Sequence, residues 1–239
     1  MKTFKARGIV LRETDVGEAD KIVVLLLKGR GKLSASARGA RKSGSKFLAA
    51  AQLFTYSDFV ITQGPNFFAL AQTDVIETFY NLRGSYEKLA AASRLMKLCD
   101  RVILEYEPCD DILRMLLYSL QALCKEKQPD LVTAAFALKF LEYSGLTPVF
   151  EVCSICQKNL THSDAGKQGQ YFAGMHGVIC ADCAKSSTLS ARHWLSESTR
   201  QAAAYVINSQ PDSVFSFQAS QQVLDQLLSY SDRLVEALF

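Results

Sequence analysis

Four of the chain's seven cysteines stand in two Cys-x-x-Cys pairs, Cys153-Ser154-Ile155-Cys156 and Cys180-Ala181-Asp182-Cys183, with 23 residues between them. A two-residue spacer lets each pair turn through a tight knuckle and present two thiolates to one tetrahedral ion, so the pattern points to zinc. The intervening segment exceeds the roughly 15 to 20 residues usual between such pairs. It carries Gly166, Gly169, Gly174 and Gly177 for turns, and Tyr171-Phe172 and Val178-Ile179 for two short ribbon strands. Redox-active or disulfide-forming pairs are the alternative reading, as is His176 standing in for one cysteine. Four thiolates leave the ion no position open to water, so one structural zinc per chain is expected, with no catalytic role. The His-x-Glu tripeptide of nucleobase deaminases does not occur, nor do the glycine-rich phosphate loops or the nucleophile elbow. His162, His176 and His193 suit exposed or packed positions. No catalytic residues can be assembled, and the chain is expected not to be an enzyme.

The second chemical feature is charge. Formal net charge is only +3, yet residues 1–46 hold twelve Lys and Arg against four Asp and Glu, a balance of +8 that leaves −5 for the rest. Arg30, Lys32, Arg38, Arg41, Lys42 and Lys46 fall close together in this segment. Along Lys32-Leu33-Ser34-Ala35-Ser36-Ala37-Arg38 the even positions are polar and the odd ones apolar, which in a strand sends Lys32, Ser34, Ser36 and Arg38 to one face. A small, polar, basic face lets a phosphate backbone approach without demanding a particular base, so weak sequence preference and strong salt dependence are expected. Solvation alone is the plainer alternative. Phe54, Tyr56, Phe67 and Phe68 are candidates for stacking on bases, although barrel core or edge suits each of them too.

Positioning these groups requires two kinds of element. Residues 3–79 read as five strands, at about Phe4–Arg12, Lys21–Lys28, Lys32–Ala40, Leu53–Thr62 and Phe67–Phe79. Gly29-Arg30-Gly31 and Gly64-Pro65-Asn66 mark two hairpin turns, and the basic run Arg41–Lys46 forms a longer connection. This suits a five-stranded Greek-key barrel of the OB type, with Gly8 at a sharp bend in the first strand; a five-stranded sandwich is the alternative. Beyond Gly84 the apolar period becomes helical, with Pro108, Pro129-Asp130 and Ser196 as helix punctuation and a last striped helix through Val223–Leu238. The expected fold is α+β: an OB-fold barrel over 1–80, then an all-helical domain over 81–239 with the four-cysteine zinc ribbon inserted at about 149–187. No apolar run approaches the roughly 20 residues of a membrane helix and no signal-peptide core opens the chain, so a soluble cytoplasmic protein is expected.

Several runs are familiar in their order and spacing: Gly8-Ile9-Val10-Leu11-Arg12, Gly17-Glu18-Ala19-Asp20-Lys21-Ile22-Val23, Gly31-Lys32-Leu33-Ser34-Ala35, Arg38-Gly39-Ala40-Arg41-Lys42 and Ser45-Lys46-Phe47. Together they resemble the N-terminal domain of the bacterial RecO family of recombination mediators. The resemblance continues through Phe140-Leu141 and Gly145-Leu146-Thr147-Pro148 to the two cysteine pairs, as in zinc-bearing members. It implies a role in recombinational DNA repair by the RecF pathway: binding single- and double-stranded DNA, annealing complementary strands, and working with RecR to load RecA onto strands coated by the single-strand-binding protein, SSB. It further implies binding of the acidic SSB C-terminal tail and association with the nucleoid during repair. An RNA-associated OB-fold and zinc-ribbon accessory factor is the competing reading of the same charge pattern.

Overall fold

The structure, a computed structural model, describes residues 2–160, 170–174, 176–186 and 194–238. Alternating apolar and polar residues build the five N-terminal strands, β1 (Lys2–Val16), β2 (Asp20–Leu27), β3 (Gly31–Ala37), β4 (Tyr56–Gln63) and β5 (Phe68–Glu77). They close into a barrel in the order β1-β2-β3-β5-β4. Neighbours run antiparallel except β3 and β5, which meet in parallel at Ser36 and Ala69. The long first strand serves both halves, pairing through Lys2–Ile9 with β4 and through Gly8–Val16 with β2. Gly8 sits at the changeover, where a Cβ would lie 2.3 Å from the Leu26 carbonyl oxygen, so only glycine permits the crossing.

Val10, Val23, Leu25, Leu27, Leu33, Phe59 and Ile61 fill the barrel. The 38–54 connection is a series of turns whose Phe47, Ala50 and Ala51 join that core, and its charged residues are left outside. β4 begins later than its sequence pattern suggests because Phe54 takes a left-handed conformation (φ 72°) that drives its ring inward. β5 stops at Glu77, whose carboxylate accepts from the backbone N–H groups of Thr78 and Phe79.

After a 3-10 turn (Tyr80–Gly84), α1 (Tyr86–Val102) is capped by Ser85, which accepts from the Lys88 N–H, and α2 (Asp110–Cys124) follows. Both belong with the barrel in one compact unit, Met1–Cys124; the second unit is Lys125–Phe239. The compact unit therefore takes in the first two helices along with the barrel. The reason lies in β2. Val23, Leu25 and Leu27 face the barrel core, but Val24 and Leu26 on the opposite face are equally buried, on the side where α2 packs against β2 and α1 against β1.

In the second unit α3 (Pro129–Tyr143) is buried throughout Leu131–Leu141. It packs against α5 (Glu197–Asn208) and α6 (Gln221–Leu238), and Ser196 caps α5 by accepting from the Thr199 N–H. Between α3 and α5 lie β6 (Gln170–Gly174), β7 (Gly177–Ile179), the short α4 (Ala181–Ser186) and β8 (Trp194–Ser196), the strands forming a sheet in the order β7-β6-β8. β6 and β7 are the two expected ribbon strands. Gly166, Gly169, His162 and His193 lie outside the described residues. Among the described residues no helix is long and apolar enough to cross a membrane.

Candidate functional site

The first cysteine pair sits on a knuckle closed by Gln157, whose left-handed backbone (φ 60°) lets its N–H return to the Cys153 carbonyl at 2.9 Å. The Cys153 N–H in turn donates to the Lys158 carbonyl at 2.9 Å. The second pair stands at the start of α4, where the Ala184 N–H reaches the Cys180 carbonyl at 3.0 Å. The two are brought together by backbone pairing: the Ser154 N–H donates to the Val178 carbonyl, the Val149 N–H to the His176 carbonyl and the Val178 N–H to the Val149 carbonyl, on either side of Gly177. Gly177 is held at φ 130° with the Val149 carbonyl oxygen 1.9 Å from where a Cβ would stand, so the approach needs glycine.

As a result the sulfurs of Cys153, Cys156, Cys180 and Cys183 all lie within 4.8 Å of one another. A zinc–sulfur bond of about 2.3 Å in a regular tetrahedron requires sulfur separations of about 3.8 Å, and Cys156 and Cys180 stand 3.8 Å apart. The site can hold a metal ion. Burial opposes ionisation of Cys153, but backbone N–H groups of Cys156, Cys180 and Ile155 outweigh it and bring that thiol down to about 6. Hydrogen bonds that the Cys183 thiol donates to the Cys156 and Cys180 sulfurs hold it up, to about 12, and burial raises Cys180. One thiolate forms readily and its neighbours resist, which is the condition a divalent cation relieves. His176 is exposed and belongs to no ligand cluster among the described residues.

The strand alternation of β3 is as the sequence suggests, with Leu33, Ala35 and Ala37 buried and the intervening residues outside. The six cations nevertheless do not form one patch. Lys32 is taken up internally: its side chain is 14% exposed, its ammonium donates to the Asp100 carbonyl at 2.5 Å, and the Asp100 carboxylate is 3.9 Å away. Arg41 lies at the β1–β2 turn, donating to the Gly17 carbonyl at 2.9 Å and standing 3.3 Å from the Asp15 carboxylate. Arg38 and Lys42 beside it are exposed, with no ion pair among the described residues. Lys46 donates to the Ala71 carbonyl of β5 and lies over the Phe47 ring. Arg30 is at the other end of the β2–β3 hairpin.

Arg30 opens a second feature, a groove of about 850 Å³ lined by Ile22, β3 residues Leu33–Ser36 and the β4–β5 turn Gln63–Phe68, together with Phe4, Glu105 and Tyr106. The Arg30 guanidinium lies 4.0 Å over the Phe4 ring. Phe4 meets Phe68 edge-on at 6.3 Å, and Phe68 meets Tyr106 at 6.1 Å. Strands 2 and 3 with the loop between strands 4 and 5 are the surface by which OB folds take up oligonucleotides. Of the sequence's stacking candidates, Phe67 and Phe68 line this groove, Phe54 is core, and Tyr56 is half-buried away from it.

The N-terminal residues 1–79 match the profile described as recombination protein O N terminal, and residues 83–238 that of the recombination protein O C terminal. The chain is 33% identical over 238 residues to the DNA repair protein RecO of Acetivibrio thermocellus, covering 99% of this chain and 92% of that one. It is 36% identical over 183 residues to the RecO of Alkaliphilus metalliredigens (75% and 72% covered) and 33% over 192 to that of Clostridium acetobutylicum (80% and 75%). The chain belongs to the RecO family of DNA repair proteins.

Within the RecO profiles the six basic residues, Phe4, Phe67 and Phe68 fall in the N-terminal domain, whereas Glu105, Tyr106 and the four cysteines fall in the C-terminal one. The groove is thus assembled across the profile boundary but inside one compact unit. Phe4 and Tyr106 were not legible as site residues. Phe4 reads as an ordinary strand residue, and Tyr106 follows a helix whose landing place on β3 the sequence does not specify.

Proposed function

We propose that this chain is a recombination mediator of the RecF pathway. It binds single- and double-stranded DNA, anneals complementary strands and, with RecR, helps to load RecA onto single strands coated by SSB, whose C-terminal tail it engages. It acts in the cytoplasm at the nucleoid and has no active site. The observation that carries the DNA-binding part is the OB-fold groove with Arg30 and a chain of aromatic rings at one end of the β2–β3 hairpin, and exposed Arg38 and Lys42 at the other. Family membership supports the rest.

Annealing needs no nucleophile. Two phosphate backbones repel within a Debye length of about 8 Å at physiological salt, and a cationic surface that neutralises part of each removes much of that opposition. The metal residues Cys153, Cys156, Cys180 and Cys183 would hold one zinc, whose contribution is to staple the ribbon. Annealing of complementary strands coated with the cognate SSB, with and without RecR and in the absence of nucleotide, is the deciding experiment. Acceleration is expected, and a requirement for ATP, or displacement of the bound DNA by an equal amount of RNA, would favour another reading.

A further inference from the structure

Tyr106 belongs to none of the barrel strands. It lies in the connection between α1 and α2, yet its ring is the outermost member of the aromatic chain in the groove. Its backbone is left-handed (φ 64°), a conformation rarely adopted by a residue with a bulky side chain and one that costs free energy. Three local features sustain it. The Tyr106 N–H donates to the Lys32 carbonyl at 3.0 Å, and Glu105 forms a parallel bridge with Lys32. Gly31 lies so close to this segment that a Cβ there would stand 2.1 Å from the Glu107 carbonyl oxygen. A ring held this way to fill space would be buried. Tyr106 is instead 58% exposed.

We propose that Tyr106 is the residue that makes this groove selective for an unpaired strand, by offering its exposed ring as a stacking platform to a base. The inference rests on the DNA-binding reading given above. A base inside a duplex has both faces covered and its edge paired, so it has no face to give; only an unpaired base can stack on a protein ring. Glu105 beside Tyr106 strengthens the distinction. Its carboxylate repels phosphate but accepts hydrogen bonds from the Watson–Crick-edge N–H groups of bases, thymine N3–H among them, which are free on unpaired bases. The phosphates then track toward Arg30. Arg38, Arg41 and Lys42 lie outside the groove lining and offer charge alone, which serves paired and unpaired backbones alike.

The test compares a fluorescein-labelled oligothymidylate with a blunt-ended duplex of equal length, by anisotropy on the full chain. Tyr106→Gly accepts φ 64° without strain, so it removes the ring and keeps the backbone; Tyr106→Phe keeps the ring. Tyr106→Gly is expected to weaken oligothymidylate binding about 5- to 150-fold, with duplex binding unchanged and Tyr106→Phe like the wild type. As an independent readout, Tyr106→Trp in a Trp194→Phe background, Trp194 being the single tryptophan, is expected to lose fluorescence with oligothymidylate and not with duplex. Equal weakening of both forms, or none, overturns the role of Tyr106 while leaving DNA binding intact. A wild-type chain that binds neither form overturns the inference and the reading beneath it together.

Discussion

Replacing Arg38 and Lys42 together by alanine removes two exposed cations that no carboxylate neutralises among the described residues. If each contacts one phosphate, the slope of log affinity against log salt for single-stranded DNA falls in magnitude by about 1.4, at about 0.7 per contact. A fourfold rise in salt then costs the variant about sevenfold less affinity than it costs the wild type. Adding Arg41→Ala is expected to contribute less than a third full step, because in the free protein Arg41 already stands 3.3 Å from Asp15 and must give up that partner to take a phosphate. Lys32→Gln provides the contrast. Its ammonium is held by Asp100, so the salt slope is expected to stay at the wild-type value. Titrations of labelled oligothymidylate at four or five salt concentrations read all of this directly. An unchanged slope in the Arg38/Lys42 variant, or a slope flattened as much by Lys32→Gln, refutes the assignment of charge to these positions.

Three further outcomes follow from packing and from the cysteine cluster. Cys153→Ser is expected to lower zinc from one ion per chain to near none, measured by elemental analysis of purified protein; retention of one zinc would remove Cys153 from the ligand set. Arg200, whose side chain is 5% exposed, donates to the Phe150 carbonyl at 2.7 Å and to both Glu197 oxygens. Arg200→Met therefore takes the donor away from the buried Phe150 carbonyl and should cost about 1–3 kcal/mol in urea unfolding. Gly8→Ala forces a methyl against the Leu26 carbonyl, and a loss of about 1–3 kcal/mol is expected; a neutral substitution would mean that the strand changeover relaxes freely.

How much of this was legible in the sequence depended on how local the determining interaction is. The β3 alternation, the strand changeover at Gly8, the Ser196 cap and the two cysteine pairs are written within a few residues of where they act, and they read correctly. Lys32 did not, because the partner that withdraws it, Asp100, lies 68 residues away. Counting it among the exposed cations followed from strand parity, which fixes the face of a side chain but not what covers that face. Tyr106 failed for the same reason: its conformation depends on Gly31 and Lys32 across the barrel wall. The helical run after residue 84 was read from periodicity, but periodicity carries no address, and so the grouping of α1 and α2 with the barrel was not visible.

That grouping has a practical consequence for anyone dissecting the protein. A fragment ending near residue 80 would strip α1 and α2 from the outer wall and expose Val24 and Leu26 as a greasy stripe on β2, flanked by a groove that has lost Tyr106. Such a fragment should stick to itself, and its poor DNA binding would wrongly be blamed on the barrel. A cut at residue 124 keeps the wall covered and the groove whole.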